Sequence, residues 1–272
     1  MTMEKLIANL ARNVEQRFYG KYRGFVKKNE DPEKLGRLLV TVPGVLGDEV
    51  AVWAFPCVPY GGMPNQGFFF IPDVEAGVWI EFEEGDPEFP IWVGTFWSKP
   101  KGKSEAPKPN APDGQEQGSA QPPPSAKIIK TKKGHTLQLE DKNGEERIII
   151  VEAAHKHVIT LDKDGIKITD GANTHKIILN DQGITVSDKS GRNEIKMEGG
   201  GVTIKSNSVK VGSSGAAEPL VLGTQLDTVL KTFLTQLNAH THTGNLGAPT
   251  GPPTPTMTLV LTPALSKKHK TE

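Results

Sequence analysis

The sequence predicts an all-β protein with short helices, built as a small N-terminal barrel followed by a long repetitive β segment. Two observations carry this reading. Of the 17 Phe, Trp and Tyr residues, 16 lie between Phe18 and Trp97, so an ordinary globular core ends near residue 100. Beyond that point glycine is spread among Ser, Thr, Asn and Asp, and apolar residues recur with an 18-residue period, as in short strands joined by tight turns. Composition excludes several function classes. Lys plus Arg and Asp plus Glu are equal at 32 each, so no net charge draws the chain to polyanions. Cys57 is the single cysteine, which excludes an intrachain disulfide framework and any cysteine-based zinc site within one chain. No apolar run approaches the roughly 18 to 20 residues of a membrane span, and the N-terminus has no basic region followed by an apolar core. A chain made in the cytoplasm, without a signal peptide and soluble at synthesis, is the expectation.

Residues 1–18 are expected to form an amphipathic helix, because Leu6, Ile7, Leu10, Val14 and Phe18 fall at helical spacing and Tyr19-Gly20 ends the pattern. Residues 19–100 read as a Greek-key barrel of five or six strands: Tyr22 to Val26, Gly36 to Val42, Glu49 to Phe55, Gly67 to Ile71, Gly77 to Phe82 and Ile91 to Phe96. Asp31-Pro32, Pro43-Gly44, Gly61-Gly62, Pro72-Asp73 and Gly85-Asp86-Pro87 punctuate them. Barrels of this size often bind oligonucleotides. From Lys21 to Pro100, however, there are seven Lys/Arg against twelve Asp/Glu, and phosphate binding wants a positive groove. Nucleic acid is therefore not the expected partner. The acidic string Glu81, Glu83, Glu84, Asp86 and Glu88 reads as a solvated strand end and turn, since catalytic carboxylates must face each other across a cleft in contrasting environments. Phe68-Phe69-Phe70 reads as core or protein interface, with strand alternation burying at least one face.

A resemblance emerges from these residues together. The run Gly24-Phe25-Val26-Lys27-Lys28-Asn29 is followed in order by Asp31-Pro32, Leu35-Gly36-Arg37, Trp53-Ala54, Pro56 to Gly62, Gly67 to Pro72, Val78 to Pro87 and Pro90 to Gly94. It resembles the N-terminal OB-fold domain of the central spike of contractile phage baseplates, the baseplate assembly protein V type, shared with type VI secretion and related injection particles. The resemblance implies an OB-fold barrel followed by a trimeric intertwined β-helix.

Residues 101–126, rich in Pro, Gly, Ser, Lys and Gln without apolar periodicity, are expected to be an extended linker. Some spikes of the resembled family carry a lysozyme domain between barrel and shaft, and 26 residues cannot hold one. No nucleophile elbow, phosphate-binding glycine loop or zinc-protease helix occurs elsewhere, so no enzymatic activity is expected.

Residues 127–213 carry the repeat. His157, His175 and Asn193 correspond, as do Gly165, Gly183 and Gly201; Ile159, Ile177 and Ile195 align, then Leu161, Leu179 and Met197, then Ile166, Ile184 and Val202, then Ile168, Val186 and Ile204. Thr136 to Val151 follows the same style in looser spacing, and Val209 and Val211 continue it. Each repeat is strand, turn, strand with one apolar face. Such a ribbon is not stable alone in water, and three chains wound about one axis bury a continuous seam while exposing the polar face. A homotrimer with a triple-stranded β-helix is expected, in agreement with the resemblance; a single-chain solenoid is the alternative. His157 and His175, 18 residues apart at one register position, read as turn-flanking surface residues and not as ligands.

Residues 214–272 open with Pro219 and a helix whose Leu222, Leu226, Val229, Leu230, Phe233, Leu234 and Leu237 form a stripe suited to a three-chain bundle. A strand-like Met257 to Thr262 and a disordered basic tail, Lys267-Lys268-His269-Lys270, close the chain. Between helix and tail, His240 and His242 in an extended segment place both imidazoles on one face. Three chains would supply six nitrogens, enough for an octahedral transition metal. The resemblance implies iron here, one ion per trimer, with zinc or nickel as substitutes, because His240-Thr241-His242 with Gly244 and Pro249-Thr250-Gly251-Pro252 is similar to spike tips of the family.

The expected function is mechanical: a central spike at the baseplate tip of a virion or injection particle. Its partners would be the tail hub, baseplate proteins, a separate tip protein and the target cell envelope. A fibre-like adhesin or receptor-binding protein is the alternative and would show an aromatic-rich C-terminal domain.

Overall fold

The computed structural model describes residues 3–5, 7, 17–119, 123–210, 223–252 and 254–258. Met3–Lys5 and Ile7 are helical, while Leu6, Leu10 and Val14 lie outside the described residues. The expected helix does not reach Phe18. Its backbone amide donates to Gly85 O at 2.8 Å, and its ring packs against Tyr22 and Phe82 with centroids 6.0 and 6.1 Å away. Phe18 serves the barrel as an end plug, a position the helical register would deny it.

Five strands, β1 (Tyr22–Lys28), β2 (Leu38–Val42), β3 (Gly47–Pro56), β4 (Gly77–Phe82) and β5 (Pro90–Thr95), close a barrel in the order β1-β2-β3-β5-β4, with the four-residue helix α1 (Pro43–Leu46) between β2 and β3. Alternation decides which side chains fill it. Leu38, Val40 and Val42 on β2 and Val78, Ile80 and Phe82 on β4 point inward at every second position, joined by Val26, Ala54 and Trp92. The indole N–H of Trp92 donates to Gly36 O at 3.1 Å, so the one polar atom of this core side chain is satisfied. The β1–β2 connection is held by Asp31, whose carboxylate accepts the Leu35 amide at 2.8 Å and the Arg37 guanidinium at 2.8 and 3.1 Å. That guanidinium lies over the Trp53 and Phe55 rings at 5.4 and 5.5 Å. It holds the Asp31 carboxyl far below the usual carboxylate range.

Gly67–Ile71, expected as a strand, is loop. Three consecutive phenylalanines give no period-two alternation, and the barrel closes without a sixth strand, so the segment has no ladder to join. Phe68, Phe69 and Phe70 are all exposed, contrary to the expectation that one face is buried.

The second half is a nine-stranded antiparallel sheet whose strands are neighbours in sequence order: β6 (Ala126–Lys130), β7 (Thr136–Glu140), β8 (Arg147–Glu152), β9 (His157–Asp162), β10 (Gly165–Thr169), β11 (Lys176–Asn180), β12 (Gly183–Ser187), β13 (Glu194–Glu198) and β14 (Gly201–Lys205). The 18-residue period is one hairpin. Its glycines have a packing reason as well as a turn reason. A Cβ on Gly165 would fall 2.0 Å from Leu179 O, and one on Gly183 would fall 1.9 Å from Met197 O, both at positive φ. The sheet ends at Lys205; Val209 is not in a strand, and Val211 lies outside the described residues.

The proline-rich stretch expected as an extended linker instead folds onto this sheet. Gln138 is fully buried, accepts the Asn110 amide at 2.6 Å and donates to Asn110 O at 3.1 Å. Thr160 donates to Pro112 O at 2.9 Å, and Glu116 pairs with Lys130 at 2.8 Å and Lys108 at 3.3 Å. Pro109 is fully buried, and Ile149, Val151 and Val158 form a small core on this covered side. The cover is made by backbone polar groups and a buried proline, which leave no apolar period to read.

Residues 206–272 form a separate unit. Its helix α2 (Gly223–Ala239) leaves Leu226, Val229 and Phe233 exposed and half-buries Leu230, Leu234 and Leu237. Pro219 and Leu222, expected at its start, lie outside the described residues, as do residues 259–262 of the expected last strand and the basic tail; Met257 and Thr258 are not in a strand. Among the described residues no helix is long and apolar enough to cross a membrane.

Candidate functional site

Cross-strand register turns the apolar positions of the repeat into one continuous surface. Leu137 and Leu139 stand opposite Ile150 and Ile148; these stand opposite Ile159 and Leu161, which in turn face Ile168 and Ile166. The ladder continues through Ile177 and Leu179, then Val186 and Ile184, then Ile195 and Met197, and ends on Ile204 and Val202. Most of these side chains are exposed, with the outermost, Val202 and Ile204, at 65% and 56%. Sixteen apolar side chains in one stripe far exceed what scattered surface hydrophobics explain, and a stripe this long marks an assembly face. Beyond the region that residues 108–116 cover, the opposite face carries Lys167, Thr185, Lys196 and Thr203, with Ile178 between Lys167 and Thr185. One side of the sheet is thus finished within the chain, and the other is not.

A polar rim closes one end of the apolar face. His135 Nδ1 accepts the Ala153 amide at 3.3 Å and lies 3.8 Å from Glu152. Glu152 stands opposite His157, whose Nδ1 lies 3.1 Å from Asp170. Asp170 bonds through its backbone to His175, and Asp188 does the same with Asn193, so the repeat positions His157, His175 and Asn193 each flank a turn as the register predicts. Hydrogen bonds hold Glu152 and Asp170 below the usual carboxylate range, first from the His155 amide in one case and the Asn173 side chain in the other.

On the barrel, Tyr60, Met63, Phe68, Phe69 and Phe70 are exposed in the 57–71 loop. All but Phe70 border an open concavity of about 1290 Å³ that also takes in Leu35, Cys57 and Ile71. The acidic string is spent on local structure: Glu81 pairs with Lys21, Asp86 pairs with Arg17 at 2.9 Å and accepts the Glu88 amide at 3.1 Å, and Glu83 and Glu84 form a short turn.

The C-terminal unit brings His240 and His242 together, with ring centroids 5.0 Å apart. Helix α2 ends on them, His240 Nδ1 meeting Leu237 O. His242 is fixed by a small hairpin in which its amide donates to the Thr250 hydroxyl at 2.9 Å and the Thr250 amide donates back to His242 O at 2.7 Å. Asn238 clips Met257 through two hydrogen bonds at 2.8 and 3.0 Å. Two nitrogens in one chain are too few for a tight metal site, and three copies supply six.

These surfaces are those of a protein that assembles, and comparison with known proteins agrees. Residues 22–97 match the family model of the type VI secretion system/phage-baseplate injector OB domain, and residues 126–175 match that of the phage baseplate V C-terminal trimerisation domain. No curated protein matches the chain. The barrel coincides with the first match and the first strands of the sheet with the second, and the apolar face is what a trimerisation domain must present. The chain therefore carries two domains of the phage baseplate V type, an injector OB domain and a trimerisation domain, which support a spike-type structural role in a phage baseplate or type VI secretion system.

Proposed function

We propose that this chain is the homotrimeric central spike of a contractile tail or injection particle, docked to the tail hub through its barrel and driven through the target cell envelope when the sheath contracts. The observation that carries the reading is the apolar face of β7–β14, in register over eight strands and uncovered among the described residues of one chain. Three copies wound about a common axis bury it, remove the free sheet edges and make fraying depend on many hydrogen bonds in three chains at once. The exposed aromatic loop at Tyr60 and Phe68–Phe70 is the docking surface for hub or baseplate protein, since aromatic residues are enriched at such contacts. The C-terminal helices form a bundle, and the His240/His242 pairs of three chains hold one iron ion, replaceable by zinc or nickel. A separate tip protein fits beyond this end. The spike has no hydrolytic role and does not bind nucleic acid; it is made in the cytoplasm and ends at the particle's baseplate tip.

The test is direct. Particles labelled on this chain, imaged at low resolution, show density at the centre of the baseplate, and the full chain co-purifies with hub protein while ignoring single-stranded DNA at moderate salt. Label on lateral fibres, or DNA binding that weakens steeply with salt, overturns the proposal.

A further inference from the structure

The hairpin joining β8 to β9 brings together donors that no single strand carries. Glu152 ends β8 and His157 opens β9, and the two are cross-strand partners. In the turn between them Lys156 takes φ 62°, a conformation that lays the His155 ring nearly parallel to His157, with centroids 5.6 Å apart at 23°. One donor atom from each of Glu152, His155 and His157 lies within 4.8 Å of the other two, and among the described residues this is the one group of three such side chains.

We propose that Glu152, His155 and His157 form a divalent transition-metal site held within a single chain. The nearest pair already sits at coordination distance: His155 Nδ1 is 3.3 Å from Glu152 Oε2, close to the separation that a tetrahedral ion with bonds of about 2.0–2.1 Å imposes on its ligands. The carboxylate is pre-oriented by the Ala154 and His155 amides, which donate to its two oxygens at 3.1 and 2.8 Å. His157 is oriented from behind. Its Nδ1 lies 3.1 Å from Asp170, and in the tautomer whose Nδ1–H donates to that carboxylate Nε2 is left for the ion, the arrangement in which an outer carboxylate fixes a ligating imidazole. Two imidazoles and one carboxylate select zinc, cobalt or nickel over calcium or magnesium, which take oxygen ligands.

This site lies at the polar rim of the assembly face and does not depend on the spike reading. It needs one chain per ion, whereas the His240/His242 pair needs three. Equilibrium dialysis with zinc alone, on full-length protein without an affinity tag and carrying His240→Ala and His242→Ala, gives about one ion per chain. Adding His155→Ala abolishes it; His155 is exposed and bonds only inside this turn, so the fold survives, as circular dichroism verifies. Asp170→Asn weakens affinity about 10- to 100-fold as an outer-shell change. Cobalt in place of zinc shows visible bands of a low-coordinate site. No zinc in the His240→Ala/His242→Ala protein, or equal binding with and without His155→Ala, overturns the proposal.

Discussion

Ile168 of β10 stands directly opposite Ile177 of β11, and each leaves 37% of its surface open to solvent on the same face of the sheet. A cross-strand aliphatic pair in mid-sheet with that exposure is unfinished packing. Ile177→Asp would set a carboxylate among its own symmetry mates, where like charges in a desolvated seam cannot all ionise. Light scattering should give a trimer mass for the natural chain and a monomer or aggregate for the variant. A variant trimer with unchanged melting would show that this face is not buried on assembly.

The Asp31–Arg37 contact makes barrel stability depend on pH in a defined direction. The folded carboxyl titrates far below its unfolded value of about 3.9, so its stabilisation is present above that value and is lost as pH falls through the acid range below it. Calorimetry should find Asp31→Asn less stable than the natural chain at pH 7, with the gap closing between about pH 4 and 2. A gap constant over that range would remove the assignment.

Gln138 reads the backbone of Asn110 with both ends of its amide. Gln138→Ala strands a buried N–H and C=O, at about 1–3 kcal/mol for each group that stays unsatisfied, and should release residues 108–117 to proteolysis. Thr160→Ala, which removes one bond to Pro112 O, should cost only about 1 kcal/mol. Equal protease resistance in the natural and Gln138→Ala chains would mean that the segment is not held there.

Two glycines of the sheet turns should respond unequally to alanine. At Gly199 the Cβ meets nothing within 4 Å, so the cost is that of left-handed backbone, about 1–2 kcal/mol. At Gly183 the Cβ would collide with Met197 O, and urea denaturation should show a distinctly larger loss.

Elemental analysis of protein carrying His155→Ala isolates the C-terminal pair. About one iron, zinc or nickel per three chains is expected, lost on His240→Ala with His242→Ala; a metal-free trimer purified without chelator would exclude the tip site.

Strands were legible where one face is apolar and glycine marks the turn, as in the aligned Ile159, Ile177 and Ile195, which occupy equivalent places in β9, β11 and β13. Leu38-Val40-Val42 and Val78-Ile80-Phe82 gave the barrel away for the same reason. Legibility failed where structure rests on backbone polar groups or on distant pairing. The fold of residues 108–116 depends on Asn110 amide bonds, which carry no hydrophobic period. Phe68–Phe70 were misplaced because apolar content was read as strand where closure left no partner. His240 and His242 were visible as a motif. The Glu152/His155/His157 group was not, because it exists only once Glu152 and His157 are known to face each other across a hairpin.

The one-hairpin repeat makes the sheet a ruler. Its nine consecutive strands at about 4.8 Å spacing measure about 38 Å, and each 18-residue unit adds about 9.6 Å. Length can therefore change only in whole units. Deleting one unit, such as residues 165–182, rejoins Asp164 to Gly183, and because Gly183 holds the position that Gly165 held, every later side chain keeps its face. Removing a single residue inside a strand would turn all that follow it inside out. A gene encoding such a shaft can lengthen or shorten it by duplication or loss of 54 bases, and the steps in between are closed to it.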